Sequence, residues 1–242
     1  MGRIGFGWRV PEFSVNGTRG QEFTAQILRS LERIEGSFDS AWLSDHMIPW
    51  ADWQSPETDN LEGWTTINYL MGVFKSLSFG HIVLCNSYRN PALLAKMIAT
   101  LSLLAPGRFI LGIGAGWKRD EYLSYGYEFP EASARIQALE EAVQIIRKMW
   151  TQKEVYFSGR YYKIAGAYCF PKPNPIPPVM IGGGGEKLTL RVVALHADWW
   201  NLGCTVEEYR HKLEVLKRHC ENVGRSYEEI KKTWLGCIAV AQ

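Results

Sequence analysis

The sequence predicts an α/β fold, a TIM (β/α)8-type barrel that is C-terminally shortened, with about seven strand-helix units visible. Two observations lead to this prediction. Short apolar runs alternate along the chain with longer segments of helical periodicity, and this order implies right-handed crossovers within a parallel sheet. Polar residues and glycines follow nearly every apolar run, as they do where the strands of a barrel end at a functional site. A doubly wound sheet is the alternative architecture.

The first four units each pair a strand with a helix. We expect strands over 4–8, 38–43, 80–85 and 109–113, and helices over 23–34, 64–77, 90–106 and 136–150. Apolar residues recur in these helices at intervals of three and four positions, which gives each helix a face to bury. Gly36 is placed to cap the first helix, and Pro91 suits the first turn of the third.

A hairpin and three further strands follow. We expect the hairpin over 155–157 and 161–164, and the strands over 178–181, 197–202 and 233–240. Thr205 and Glu208 have the spacing of a capping box for a helix that ends at Gly224. Because the chain stops after its seventh strand, we treat residues 1–242 as a single barrel domain that lacks the last strand-helix unit.

The composition argues against several classes of function. The formal charge of +2 gives no reason to expect binding to nucleic acid or to an anionic membrane, and no segment has the length of a membrane span. The five cysteines lack the paired spacing of a metal site, so we expect reduced thiols, a cytoplasmic location and no metal. An aromatic content of 13% fits either a large aromatic-lined pocket or dense core packing.

Four consecutive glycines, Gly182, Gly183, Gly184 and Gly185, stand between an apolar strand and a helix that we expect to begin near Glu186. Such a turn leaves backbone N–H groups uncovered at the positive end of a helix dipole, where they form a cradle for phosphate. The alternative is that the glycines only permit a tight turn from strand to helix.

A second glycine-lined turn, Gly114, Ala115 and Gly116, follows the fourth strand. A flat ring or a phosphate could approach the backbone closely at this turn. It is not the dinucleotide-binding fingerprint, because no third glycine follows at the required spacing, and Lys118 and Asp120 come instead.

Segment 44–50, directly after the second strand, carries Asp45 and His46. A histidine at the mouth of a barrel can exchange protons near neutral pH, and an adjacent carboxylate can set the local field. The structural alternative is that Asp45 caps a turn and that His46 is a surface residue. Cys85 and Asn86, after the third strand, belong to a polar cluster beside the same mouth.

Taken in order, these motifs give the chain a resemblance to the luciferase-like monooxygenase superfamily, and more particularly to its F420-dependent oxidoreductase branch. The stretches 42–50, 80–104, 108–127 and 178–201 carry the resemblance, which spans almost the entire chain. Members of this superfamily are TIM barrels, usually dimers, that bind FMN or coenzyme F420 at the C-terminal mouth of the barrel. The resemblance therefore implies F420 as the cofactor, FMN as the alternative, a small-molecule substrate and a homodimer.

The same resemblance implies roles for individual residues. Segment 44–50 is similar to the active-site segment of F420-dependent sugar-phosphate dehydrogenases, so His46 would transfer the proton and Asp45 would lie near the head of the cofactor. A non-proline cis peptide bond near Ile82 and Val83 would support the cofactor ring. The implied catalytic residues are His46 and Asp45. The implied substrate pocket is Trp8, Trp50, Trp117 and Glu121. The implied cofactor site is Asp45, Ile82, Val83, Cys85, Asn86, Gly114, Ala115, Gly116, Trp117, Gly182, Gly183, Gly184 and Gly185.

One departure concerns the substrate. The sugar-phosphate enzymes have a glutamate directly after the glycines of the fourth strand, whereas this chain has Trp117 there, with Glu121 a few residues later. This difference argues against glucose 6-phosphate. We expect hydride transfer between F420 and a small organic substrate. An FMN-dependent luciferase-like monooxygenase and a shortened, non-catalytic barrel that binds flavin or deazaflavin are the alternatives.

Overall fold

The computed structural model of the chain describes residues 4–237 and shows a curled parallel sheet with helices packed on its outer face. The strands are β1 Gly7–Arg9, β2 Ser40–Leu43, β3 Ser78–His81, β4 Leu84–Cys85, β5 Phe109–Gly114, β6 Val155–Ser158, β7 Lys163–Ala167, β8 Val179–Gly182, β9 Trp199–Gly203 and β10 Lys231–Leu235. The sheet order is β1-β2-β3-β5-β8-β9-β10, with β4 also paired to β5, and the antiparallel hairpin β6–β7 stands apart. The predicted α/β barrel architecture is confirmed, and within residues 4–237 no ladder joins β1 to β10.

The helices are α1 Gly20–Ile34, α2 Gly63–Val73, α3 Pro91–Leu104, α4 Arg119–Ser124, α5 Ala132–Thr151, α6 Thr189–His196 and α7 Val206–Asn222. Two predicted start signals are confirmed. The Asn90 side chain accepts hydrogen bonds from the first N–H groups of α3, and Thr205 and Glu208 form both halves of the capping box of α7. Within residues 4–237, none of these helices combines the length and the apolar character needed to cross a membrane.

Several predicted boundaries differ from the structure. Helix α2 ends at Val73 rather than near residue 77, because the backbone of Phe74 is already extended. Helix α6 begins at Thr189 rather than near Glu186, because the chain after the glycines first makes a turn. Strand β10 ends at Leu235, and residues 238–240 of the predicted seventh strand lie outside the described residues. The short helix α4 was not predicted.

The third strand is interrupted where the resemblance implied a cis peptide bond. The bond between Ile82 and Val83 is cis, and it separates β3 from β4. The Val83 side chain then lies against two glycines of neighbouring strands. A Cβ atom on Gly114 would come within 2.7 Å of a Val83 methyl carbon, and one on Gly182 would come within 2.8 Å. Only glycine fits at these two positions while Val83 keeps its place.

Two apolar layers hold the sheet. Outward-facing strand residues pack with the helices in one large cluster. Inside the curl, Trp42, Ile110 and Met180 form a smaller cluster, with the Trp199 ring 6.4 Å from that of Trp42. Trp200 stacks on a helix residue on the opposite face, as expected for neighbours in a strand. The inner cluster fills the barrel below the C-terminal ends of the strands and leaves the space above it open.

Candidate active site

A cavity of about 660 Å³ opens at the C-terminal ends of the barrel strands. Functional sites of this architecture lie at that end, because the loops after the strands converge there. Most residues predicted for the site line the cavity, namely Asp45, His46, Trp50, Ile82, Val83, Cys85, Gly114, Ala115, Gly116, Trp117, Glu121, Gly182 and Gly183. The structure therefore brings segment 44–50, the cis peptide bond and both glycine-lined turns to one place.

Trp8, which was predicted to line the substrate pocket, does not do so. Its ring packs edge-on against Phe38, with 5.6 Å between the ring centroids, and it adjoins the large cluster on the helix side of the sheet. Successive residues of a strand point to opposite faces, so the next residue, Arg9, lines the cavity instead. The prediction for Trp8 was wrong because the face of a three-residue strand cannot be read from so short a pattern.

Three residues predicted to bind the cofactor lie beside the cavity rather than in its lining. Asn86 is buried and donates a hydrogen bond of 3.0 Å to the hydroxyl of Tyr162. Gly184 and Gly185 continue the turn just past the lining residues Gly182 and Gly183. Their contact with a cofactor stays a prediction.

His46 stands between the cavity and a buried carboxylate. Its Nδ1 atom lies 3.0 Å from Oε2 of Glu121, and the same oxygen accepts a hydrogen bond of 2.9 Å from the hydroxyl of Tyr88. The other oxygen of Glu121 accepts the N–H groups of Met47 and Ile48 at 2.5 and 3.2 Å. Burial alone would raise the pKa of Glu121, but the hydrogen bonds from His46 and from the two backbone groups lower it below its ordinary value. Glu121 was predicted as a substrate-pocket residue, and it lines the cavity with its oxygens already engaged by the protein.

Asp45 is held by Arg89 in a two-point ion pair. The guanidinium donates hydrogen bonds of 2.7 and 2.9 Å to the two oxygens of Asp45, and the N–H of Cys85 donates a third at 2.9 Å. Arg89 also contacts Glu62 at 2.7 Å. Burial raises the pKa of Asp45, and the hydrogen bonds from Arg89 and Cys85 oppose that rise. This arrangement ties the exit of β2 to the segment between β4 and α3.

A second buried glutamate, Glu12, holds the two ends of segment 44–50. One of its oxygens accepts hydrogen bonds from the hydroxyl of Ser44 at 2.7 Å and from the indole N–H of Trp50 at 2.9 Å. The same oxygen accepts a hydrogen bond of 2.6 Å from Arg9, whose guanidinium lies 4.9 Å from the centre of the Trp50 ring. The Trp50 ring is therefore fixed as one wall of the cavity.

The loop after β5 forms a further part of the lining. The Trp117 ring meets the His46 ring edge-on, with 5.4 Å between the centroids, and is 61% exposed. Below it, the Cys85 thiol lies 2.8 Å from the Tyr122 hydroxyl. Burial raises the pKa of Cys85 to about 11, so this thiol stays protonated at neutral pH.

The glycine turn, residues 182–185, offers backbone N–H groups rather than side chains. The N–H of Gly183 is used by the sheet, since it donates to the carbonyl of Asn201 at 3.1 Å. The N–H groups of Gly184, Gly185 and Glu186 have no hydrogen-bond partner within the part of the chain that the structure describes. Successive unpaired backbone N–H groups in a glycine-lined turn are suited to an anion. Among residues 4–237, no group of three or more His, Cys, Asp or Glu side chains is arranged to hold a metal ion.

Sequence reasoning missed Glu12 and the roles of Arg89 and Glu121. Each of the three acts on segment 44–50 from a distant part of the chain: Asp45 and Arg89 are 44 positions apart, and His46 and Glu121 are 75 positions apart. The only local signal was the spacing of Arg9 and Glu12, which is that of an ion pair. A single sequence does not indicate which distant carboxylate contacts the residues at the end of a given strand.

Comparison with known proteins identifies the family of the chain. A family model described as luciferase-like monooxygenase matches residues 6–242. The chain is 34% identical over 213 residues to an F420-dependent glucose-6-phosphate dehydrogenase of Amycolatopsis mediterranei (strain U-32), a match that covers 82% of the chain and 60% of the relative. It is 36% identical over 210 residues to a protein of the same name from Kineococcus radiotolerans (strain ATCC BAA-149 / DSM 14245 / SRS30216), covering 84% of the chain and 60% of that relative.

Solved structures share the fold. An F420-dependent secondary alcohol dehydrogenase in complex with an F420–acetone adduct matches with a TM-score of 0.80 and 23% identity, covering 94% of this chain and 67% of that one. The coenzyme F420 dependent tetrahydromethanopterin reductase from Methanopyrus kandleri matches with a TM-score of 0.77 and 19% identity, covering 98% and 66%. The chain spans about 60% of the length of the curated relatives it matches. It belongs to the luciferase-like monooxygenase family.

Proposed function

We propose that this chain belongs to an oxidoreductase that transfers a hydride between coenzyme F420 and a small organic substrate. The observation that carries the proposal is the arrangement of the cavity. His46 presents a ring nitrogen to it, and unpaired N–H groups stand at the rim on the glycine turn. The names of the curated relatives, F420-dependent glucose-6-phosphate dehydrogenases, support F420 as the cofactor.

The residues present fit such a cofactor. Gly114, Gly116 and Gly182 line the cavity with backbone, while Val83, Tyr122 and Cys85 occupy the space that their Cβ atoms would need. The cavity of about 660 Å³ lies within the size range of cofactor sites. The unpaired N–H groups of Gly184 and Gly185 would hold an anionic tail. When bound, F420 supplies two-electron hydride chemistry, because its deazaflavin ring lacks the nitrogen through which flavins react readily with oxygen.

The chain's own groups would position the reactants and move the proton. Ile82 and Val83 would support the ring, and the carboxylate of Asp45, held by Arg89, would orient the head of the cofactor. His46 Nε2 would accept or donate the proton that accompanies hydride transfer, a contribution of roughly 10²–10⁴ in rate. Trp50 and Trp117 would admit the substrate between them. Because Trp117 replaces the glutamate of the sugar-phosphate enzymes, we propose a substrate other than glucose 6-phosphate.

We also propose a homodimer in the cytoplasm. The outer faces of α2 and α3 expose large apolar side chains, Tyr69, Val73, Leu93, Leu103 and Leu104. Large exposed apolar side chains on two helices are consistent with a protein–protein interface. All five cysteines are free thiols, which suits a reducing compartment. Sedimentation of the purified chain should show a dimer that Leu104→Glu weakens; a monomer at all concentrations would contradict this part.

Parallel titrations with F420 and FMN, read by ligand fluorescence, test the proposed cofactor. We expect F420 to bind more tightly than FMN. Tight binding of FMN alone would favour the monooxygenase alternative. Substrate depletion, measured with each oxidised and reduced cofactor, then separates an enzyme from a binding protein: cofactor binding without turnover of any tested alcohol, aldehyde or sugar would contradict catalysis.

A further inference from the structure

We infer that Glu121 is a positioning residue that fixes the tautomer of His46, with the proton on Nδ1 and the lone pair of Nε2 turned to the cavity. The importance of this arrangement for catalysis rests on the proposed function. The evidence for the tautomer itself comes only from contacts within the apoprotein.

The carboxylate decides which nitrogen carries the proton. Four protein groups reach the two oxygens of Glu121: the ring of His46, the hydroxyl of Tyr88 and two backbone N–H groups. The pKa of Glu121 lies below its ordinary value despite burial, so the group is ionised at neutral pH and can only accept hydrogen bonds. An acceptor 3.0 Å from Nδ1 requires that Nδ1 carry a hydrogen. In neutral imidazole the other nitrogen, Nε2, is then the acceptor.

The free nitrogen points to the reaction space. Within residues 4–237, Nε2 of His46 has no hydrogen-bond partner, and His46 lines the cavity with 15% of its side chain exposed. The edge-on contact with Trp117 limits rotation of the ring on one side. A base with its lone pair already directed at the substrate avoids reorganisation during the proton transfer.

The same carboxylate fixes the backbone that carries His46. The N–H groups of Met47 and Ile48 bind one oxygen of Glu121 while the ring of His46 binds the other. Backbone and ring therefore share one anchor, on the short helix α4. Tyr88 adds a neutral donor, since burial raises the pKa of its hydroxyl above the ordinary value. A substitution that keeps the shape of Glu121 but adds a donor should change the tautomer without removing the anchor.

Glu121→Gln provides that substitution. Its amide oxygen can still accept the two backbone N–H groups, while its NH₂ group faces Nδ1 and donates. We expect Nδ1 to become the acceptor and the proton to move to Nε2. The measurement is nitrogen–proton correlation NMR of the apoprotein with ¹⁵N-labelled histidine, which distinguishes the two tautomers; comparison with His46→Ala assigns the signal among the five histidines. A wild-type protein with the proton on Nε2 would overturn the inference at once.

A matched control exists elsewhere in the chain. His196 faces Glu140 at 3.3 Å on the helix side of the sheet, away from the cavity. Glu140→Gln should change only the signal of His196. Glu121→Asp keeps an acceptor-only carboxylate and should keep the proton on Nδ1, and Tyr88→Phe should do the same. If Glu121→Gln leaves the tautomer of His46 unchanged in a folded protein, the inference is wrong.

Turnover gives an independent readout. With the wrong tautomer facing the cavity, kcat should fall by at least about tenfold, while binding of the cofactor stays within about twofold, as in systems where a carboxylate orients a catalytic imidazole. Glu121→Asp should recover part of the loss. Failure of the proposed function would appear as absence of turnover in the wild type, with the NMR result unchanged; failure of this inference would appear in the NMR result itself.

Discussion

Segment 44–50 and the glycine turn 182–185 stand at the same cavity, and they are built in opposite ways. Three residues hold segment 44–50. Glu12 binds its two ends, Glu121 binds its centre, and Arg89 binds the carboxylate of Asp45 within it. The glycine turn has no side chains, and the N–H groups at its end, Gly184 and Gly185, have no partner within residues 4–237.

This difference in construction corresponds to two proposed functions, proton transfer at segment 44–50 and anion binding at the glycine turn. A proton-transferring side chain must keep one orientation, so its surroundings satisfy every hydrogen bond except the one left for the substrate. An anion cradle must leave its donors unsatisfied until the ligand arrives, and glycines permit this because no side chain competes for the space. Substitutions in segment 44–50 should therefore reduce turnover or stability, and substitutions in the glycine turn should reduce affinity.

The largest effect is expected for His46→Ala. Removing the imidazole removes the only group of segment 44–50 that is free to exchange a proton with a substrate, so kcat should fall by roughly 10²–10⁴. The dissociation constant for F420 should change little, because the glycine turn is intact. Steady-state kinetics and a fluorescence titration on the same preparation check both parts; unchanged turnover would remove His46 from the mechanism.

Arg89→Leu should show that segment 44–50 is tied into the fold. The substitution leaves Asp45 buried without its partner, which costs about 3–5 kcal/mol in the free energy of unfolding. Chemical denaturation measures this loss. As a control, Arg191→Leu breaks an exposed ion pair with Glu140 and should cost no more than about 1 kcal/mol. Equal losses for the two variants would contradict the proposed difference.

Gly185→Asp should weaken cofactor binding without a comparable loss of turnover. A carboxylate beside the unpaired N–H groups repels an anionic tail, and we expect at least about a tenfold rise in the dissociation constant. Gly185→Asn places a neutral group of the same shape there, so both variants suffer the same crowding against Thr189. Only the difference between them reports the charge. If both bind F420 equally, the tail lies elsewhere.

The smallest effect concerns the acid stability of the apoprotein. The pKa of Glu121 in the folded state lies below its ordinary value of 4.5. The stability that this carboxylate contributes is therefore full above pH 4.5 and is lost as the pH falls through the folded pKa. Below pH 4.5 the free energy of unfolding of the wild type should fall more steeply than that of Glu121→Gln, by at most about 1.4 kcal/mol per pH unit. Parallel curves would show that folding does not lower the pKa of Glu121.

The sequence predicted the glycine turn better than it predicted the surroundings of His46. Glycines between a strand and a helix have a local meaning, so their place at the cavity rim followed from the pattern. The residues that hold segment 44–50 come from the loop after β1, from α4 and from the loop after β4, and only the curling of the sheet brings them together. Trp8 shows the same limit at short range. Which face of the sheet it points to depends on the orientation of a three-residue strand, and so short a sequence pattern does not predict that orientation.

A crystal structure of the protein with F420 bound is the most direct test of the proposed function. We expect an anionic group of the tail within hydrogen-bond distance of the N–H groups of Gly184 and Gly185, and the deazaflavin ring against Ile82 and Val83 with its reactive face open toward Nε2 of His46. A tail bound away from the glycine turn, or a ring whose reactive face is turned from His46, would contradict it.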